Sequence, residues 1–181
     1  MANCRISTGI TVSCDDLRRV GGVAKRVWVG NIEDLSSTIA TGSSYVTNIE
    51  LSTYQSLYLF ESSKFSHEAS FQAVKSEGGN VAINQTVILR LFNNDPTDDG
   101  VIEDLLTSDV FVIVQTNNDE FFIYGAASGL GLTDGTGGTG RQLADSTVTT
   151  LTLTGSEREL PKRFLRTDVN TTLAYLEART A

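Results

Sequence analysis

The sequence predicts a mainly β protein, an antiparallel β-sandwich or barrel with one flanking internal helix and long assembly arms. Three observations predict it. Short runs of β-branched and aromatic residues recur along most of the chain, separated by turn residues. These runs follow one another at hairpin spacing, which favours antiparallel sheets. A clear internal helical pattern occurs once, at residues 98–106. With 181 residues, 40% of them hydrophobic, the chain can bury one sizeable core, so a single domain over 1–181 is expected.

In chain order, residues 1–22 read as an N-terminal arm. Within it Ser13, Cys14, Asp15 and Asp16 resemble the start of a short helix with a capping box, stopped at Gly21-Gly22. Residues 23–32 read as a strand centred on Val27, Trp28 and Val29, and 36–44 as a Ser/Thr-rich loop. Val46, Ile49 and Leu51 open a β-rich stretch that continues through 57–61. In residues 65–75, Phe65, His67, Ala69, Phe71 and Ala73 alternate with polar residues, the period of a half-buried strand. Gly78-Gly79-Asn80 turns this strand into a partner at 81–92, making a long hairpin. Acidic Asp98 and Asp99 start the internal helix, whose Val101, Ile102, Leu105 and Leu106 share one face. Strands follow at 109–115 and 120–124, joined by Asn117-Asn118-Asp119. At the C-terminus, 169–179 reads as a short amphipathic helix with Asp168 as N-cap and Val169, Leu173 and Leu176 on its buried face.

The most informative region lies between residues 119 and 165. A glycine-rich loop, 125–145, holds seven of the chain's sixteen glycines and only isolated apolar residues. Loops longer than about 12–15 residues are uncommon in compact domains unless functional or disordered, so this one is expected to wait for a partner. A strand at 146–153 leads into a C-terminal arm, 155–181, whose first part mixes Arg158, Lys162, Arg163 and Arg166 with Leu160, Phe164 and Leu165.

Charge and cysteine content narrow the function. Asp and Glu number 22 against 14 Lys and Arg, for a net charge of −8. That argues against a sequence-independent nucleic-acid binder, which needs basic surface to displace phosphate counterions. Residues 91–145 contain ten acidic residues and one basic one, Arg141, while basic residues gather at Arg18, Arg19, Lys25 and Arg26 and again at 158–166. Opposed patches of this kind suit head-to-tail contact between copies. Cys4 and Cys14 lack metal-type spacing and read as free thiols in a reducing compartment. The N-terminus lacks the apolar core of a secretory signal, and no apolar run approaches membrane-span length. A soluble product of a cytoplasm is expected.

No residue set proposes a reaction, a metal or a cofactor. Gly135, Gly137 and Gly140 match the letters of a dinucleotide loop but lack the strand before and the helix after that would present N–H groups to a pyrophosphate. Asp95, Asp98 and Asp99 resemble the front of a calcium loop, yet Leu106 stands where a bidentate glutamate is needed. His67, in phase with Phe65, Ala69 and Phe71, reads as a packed or interface histidine. Trp28 and the tyrosines form no stacking platform with basic neighbours.

The order of parts resembles that of tailed-phage tail tube, or major tail, proteins: an arm, a hairpin-rich β body, one helix between strands, then glycine-rich and charged arms. The most similar phrases are Arg18-Arg19-Val20-Gly21-Gly22-Val23, Tyr58-Leu59-Phe60-Glu61 and the run from Leu151 to Phe164. The resemblance implies a non-enzymatic virion structural protein. Its hexameric rings would stack into a tube, contact other tail proteins, and pass DNA through a lumen without specific binding. It would assemble in the host cytoplasm and reside in the virion tail. The residues expected at subunit contacts are Arg18, Arg19, Gly131, Asp134, Arg141, Arg158, Lys162, Arg163 and Phe164. The layout also admits a head decoration, neck or baseplate component, or a monomeric ligand-binding β-sandwich.

Overall fold

A computed structural model describes residues 21–40, 45–52, 55–63, 66–75, 77–92, 96–138 and 147–181. The run Val110-Phe111-Val112-Ile113-Val114 organises the rest. An unbroken apolar strand has to be covered on both faces, and this one is. It lies in strand β7 (Val110–Thr116), inside a sheet that also contains β1 (Val23–Asn31), β2 (Leu35–Ala40), β3 (Tyr45–Leu51), β4 (Tyr58–Glu61), β8 (Phe121–Tyr124) and β11 (Lys162–Phe164). The order across this sheet is β2-β3-β11-β8-β7-β1-β4. On one face Val110, Val112 and Val114 join Val27, Val29 and Phe60 against Val87, Leu89, Leu151 and Leu153 of a second sheet. That sheet has the order β5-β6-β10-β9, built from β5 (Glu68–Lys75), β6 (Val81–Phe92), β9 (Gly131–Gly138) and β10 (Val148–Glu157). Leu105 of helix α1 (Pro96–Leu105) closes the same core. On the opposite face Phe111 and Ile113 pack with Trp28, Phe121, Ile123 and Phe164 beneath Tyr175 and Leu176 of helix α2 (Val169–Glu177).

The β-sandwich expected from the sequence is present, and so are its main hairpins. Strands β5 and β6 pair from Glu68↔Ile88 to Lys75↔Val81, with Gly79 at positive φ in the turn. The Asp168 carboxylate accepts a 2.7 Å hydrogen bond from the Thr171 amide, capping α2 as expected. That bond and its neighbours hold the Asp168 carboxyl below the usual range.

Six expectations are corrected. Most of the predicted Ser/Thr-rich loop is strand β2, paired with β3 from Leu35↔Leu51 to Ala40↔Val46; residues 41–44 lie outside the described residues. The large sheet is mixed, since β11 pairs with β3 in parallel and with β8 antiparallel. The glycine-rich stretch is not a free arm over 131–138: it is β9, hydrogen-bonded to β10. Leu130, fully buried, and Leu132, packed against the core, anchor it. Glycines there let the backbones close up, because a β-carbon on Gly155 would run into the Gly129 carbonyl oxygen. The second supposed arm is β10, β11 and α2, all in contact with the two cores. Finally, β5 is an edge strand whose Phe71 is 53% exposed. Its alternation is real, but only Ala69 packs against the core. In α1, Leu105 is buried while Val101 and Leu106 stay exposed. The predicted helix start at Ser13 and the calcium-like Asp95 fall outside the described residues.

His67 sits where the chain crosses from β4 in one sheet to β5 in the other. It is 4% exposed, and its Nδ1 accepts a 3.3 Å bond from the Arg90 amide of β6. It is thus the packed histidine expected. Nε2 is buried without a hydrogen bond, although the nearby Lys25 carbonyl favours a proton there. Burial outweighs that carbonyl and pushes the imidazole below its ordinary value of 6.5.

Two outcomes follow from this packing. Gly155→Ala should cost about 1–3 kcal/mol through overpacking, while Gly138→Ala, with open space around it, should stay within about 0.5 kcal/mol; urea unfolding of both variants measures this. For His67 the unfolded chain takes up its proton first as pH falls through about 6.5. Stability should therefore be full above that pH and decline below it, until the lower folded-state pKa is passed. Unfolding midpoints between pH 7.5 and 5.5 should show a steeper decline for the parent than for His67→Gln.

Candidate assembly interface

The four-stranded sheet ends in two strands, β5 and β9, that have no outer neighbour among the described residues. Each successive pair in it is antiparallel, so β5 and β9 run in opposite directions. The β9 edge of one copy could therefore meet the β5 edge of the next as an ordinary antiparallel pair. Free edges are template surfaces for strand pairing. Here Gly135, Gly137 and Gly138 leave the β9 edge without side chains that would block approach.

Register sorts the side chains of this sheet onto two faces. On one lie Val87, Leu89, Leu151 and Leu153, packed on the large sheet. On the other, Ser70, Gln72, Asn84, Thr86, Thr150, Thr152, Thr154 and Ser156 are brought side by side. Ser156 Oγ bonds Asn84 Oδ1 at 2.7 Å and Thr154 Oγ1 bonds Thr133 Oγ1 at 3.3 Å. Glu68, Arg90 and Asp134 add the charges on this face. The distal end of the β5–β6 hairpin exposes Phe71 and Val81 on the face that bears Val87, and Val74 on the polar face.

A cleft of about 500 Å³ opens beside β10, lined by Gln85, Ala126, Ser128, Glu157, Arg158 and Lys162 among others. Its buried polar groups already have work inside the fold. The Glu157 carboxylate accepts from the Ala127 and Ser128 amides at 3.1 and 2.8 Å. Gln85 accepts from the Gly125 amide and donates to the Glu159 carbonyl. Together they clamp the turn that carries Leu130 into the core.

The sequence-predicted contact residues separate into three groups. Arg18, Arg19 and Arg141 lie outside the described residues. Gly131 and Asp134 lie on the β9 edge strand, Asp134 opposite Thr152 and exposed. The basic residues of the C-terminal segment are largely engaged within the subunit. Lys162 pairs with Glu159, whose carboxyl is thereby lowered. Arg163 pairs with Glu120 at 3.2 Å and lies over Phe122. Arg166 lies over Tyr175, and Arg158 is exposed on the cleft wall. Phe164 is corrected outright. It is 1% exposed and packs against Tyr175 with ring centroids 6.1 Å apart, so it holds the subunit core and offers nothing to a neighbour. Leu160, exposed, is the apolar residue this segment does present.

Sequence reasoning missed Phe71, Val74 and Val81 as surface residues. The alternation that includes Phe71 was visible, but the absence of a covering layer was not. The glycine run that resembled a phosphate loop is strand up to Gly138. Among the described residues no cluster of His, Cys, Asp or Glu could hold a metal ion, and no helix is long and apolar enough to cross a membrane.

Truncating Phe164 tests its reassignment. Phe164→Ala should cost about 3–5 kcal/mol of subunit stability, as for a buried aromatic, and the fraction that stays folded should self-associate like the parent when sedimentation is compared at equal folded concentration. No family model, curated protein or solved structure matches this chain.

Proposed function

We propose that the chain is a virion structural subunit that closes head-to-tail into rings, the rings stacking as the tail tube of a tailed phage and conducting DNA. One observation carries this reading: a four-stranded sheet whose two open edges run in opposite directions, so that the left edge of one copy complements the right edge of the next. Such a contact is heterologous and closes into a ring when the rotation per copy allows. Closure also removes both free edges at once. The resemblance in the order of parts supplies the specific virion setting and the expectation of hexamers. Other tail proteins and passing DNA are then the remaining partners.

The surface chemistry supports the same reading. In a closed ring the apolar face of the four-stranded sheet is held by the large sheet, which leaves the hydroxyl- and amide-rich face for the bore. A polar wall whose charges are Glu68, Asp134 and the single cation Arg90, on a protein of net charge −8, offers a polyanion no basic patch to adhere to. Exposed Phe71, Val74 and Val81 give the intersubunit contact an apolar component, as interface centres require. No role in this reading calls for catalysis or a cofactor.

Sedimentation and electron micrographs of concentrated protein at low salt test it. Rings or tubes are expected from the parent. The double variant Phe71→Lys, Val81→Lys should remain monomeric with an unchanged unfolding midpoint, because both side chains are more than half exposed. A parent that stays monomeric without filaments at the highest attainable concentration would overturn the proposal.

A further inference from the structure

The four-stranded sheet presents a different surface at each end of its strands. Phe92 of β6 pairs with Val148 of β10 at one end, and Ile83 pairs with Glu157 at the other. About 30 Å of strand separates the two ends. Beside Phe92 a groove of about 340 Å³ opens between β4 and α1, floored by Phe60 and Ile102 and walled by Leu59, Phe92 and Val101. A second hollow of about 280 Å³ continues it past Tyr58 to Asp104. Leu59, Phe92 and Val101 are exposed. The helical rim is acidic, because α1 carries Asp98, Asp99, Glu103 and Asp104 and no basic residue. At the opposite end of the sheet, the turn after Glu157 exposes Arg158, Glu159 and Leu160. Leu160 is 54% exposed, and Arg158 makes no ion pair among the described residues. This turn is held in place. The Glu159 carbonyl accepts from the Gln85 side chain, and Pro161 restricts the backbone of Leu160. Lys162 pairs with the Glu159 carboxylate, which leaves Arg158 as the net charge of the turn.

We infer that Leu160 of one copy seats in the β4–α1 groove of another, with Arg158 against the acidic rim, and that this contact stacks ring on ring. The occupant is a second copy of this chain because the two surfaces match in chemistry and lie at opposite ends of one strand direction. An exposed leucine meets an apolar groove, and a cation two residues away meets the carboxylates of α1. The α-carbons of Arg158 and Leu160 are at most about 7 Å apart, so one turn presents both. Ring closure through β5 and β9 uses the direction across the sheet. The direction along its strands is left for the next ring, and a contact between unlike ends can repeat along that axis without closing. Leu160 is then the buried anchor, and Arg158 sets the orientation by charge. The stacking contact rests on the ring reading for its setting and supplies the surface that joins one ring to the next.

Sedimentation and electron micrographs of the full chain separate the two contacts. Leu160→Asp and Val101→Glu alter exposed side chains and should keep the parent's unfolding midpoint. Each should still form rings, while the concentration at which tubes appear rises about tenfold or more. Arg158→Glu should also suppress tubes, and combining it with Asp104→Lys should restore them. Tubes from Leu160→Asp at the parent's concentration would overturn the stacking contact and leave the ring standing. Tubes lost with Leu160→Asp but kept with Val101→Glu would seat Leu160 elsewhere and overturn it too. Rings lost together with tubes in either variant would do the same. Linear chains without rings, abolished by Leu160→Asp, would support this contact and overturn the ring. A parent that forms neither rings nor chains overturns both.

Discussion

Burial of β7 on both faces is the constraint from which the architecture follows. Its backbone is satisfied by β1 and β8, so its side chains alone decide what else must exist. Val110, Val112 and Val114 demand a layer on one side, and Phe111 and Ile113 demand another on the opposite side. The four-stranded sheet supplies the first and α2 the second. Gly30 shows how closely neighbouring strands pack within the large sheet. A β-carbon there would come within 2.6 Å of the Phe111 ring, so β1 and β7 fit only with glycine at that point. Both covers depend on the last part of the chain, since β10 completes one and α2 with β11 completes the other. Segments that look like appendages in the sequence are therefore required for the fold.

That dependence explains which elements were legible. The apolar run of β7 and the helical spacing of α2 after Asp168 are local signals, and they correspond to the observed elements. Strand β9 has no local signal. Its glycines and threonines read as a loop, and only the partner β10 and the distant anchors Leu130 and Leu132 make it a strand. Phe164 was misread for a related reason. Its neighbours Lys162 and Arg163 are charged, but in a three-residue strand the side chains alternate, so a core phenylalanine can sit directly beside a cation over Phe122. Of the candidate contacts, Gly131 and Asp134 fell on an open edge because the glycine-rich stretch was correctly singled out, though as a loop and not as a strand.

The basic segment at 158–166 teaches a further point about charge patterns. The sequence shows an excess of cations there, which invites a search for an external acidic partner. In the fold those cations meet Glu159, Glu120 and the face of Tyr175. Exposed pairs of this kind contribute little to stability because solvent and salt screen them, so their main effect is to lower the net charge that this surface presents. The exposed apolar residues of the β5–β6 hairpin have no such internal outlet. Exposed apolar surface of this kind is what the proposed contact between copies would cover.

Open edges create a hazard as well as an opportunity, and three of the four edges among the described residues, β5, β9 and β4, manage it differently. Strand β5 carries Glu68 and Lys75 at its two ends, which tolerates one register with a complementary strand and penalises slipped ones. Strand β9 is rich in glycine, so it adds little apolar surface to an accidental pairing. Strand β4 is the most apolar of the three, yet it is only four residues long, and residues 179–181 pair with Leu57 just before it. The long edges of the four-stranded sheet have no tethered segment beside them among the described residues. In the proposed ring, their opposite directions let the β9 edge of one copy pair with the β5 edge of the next.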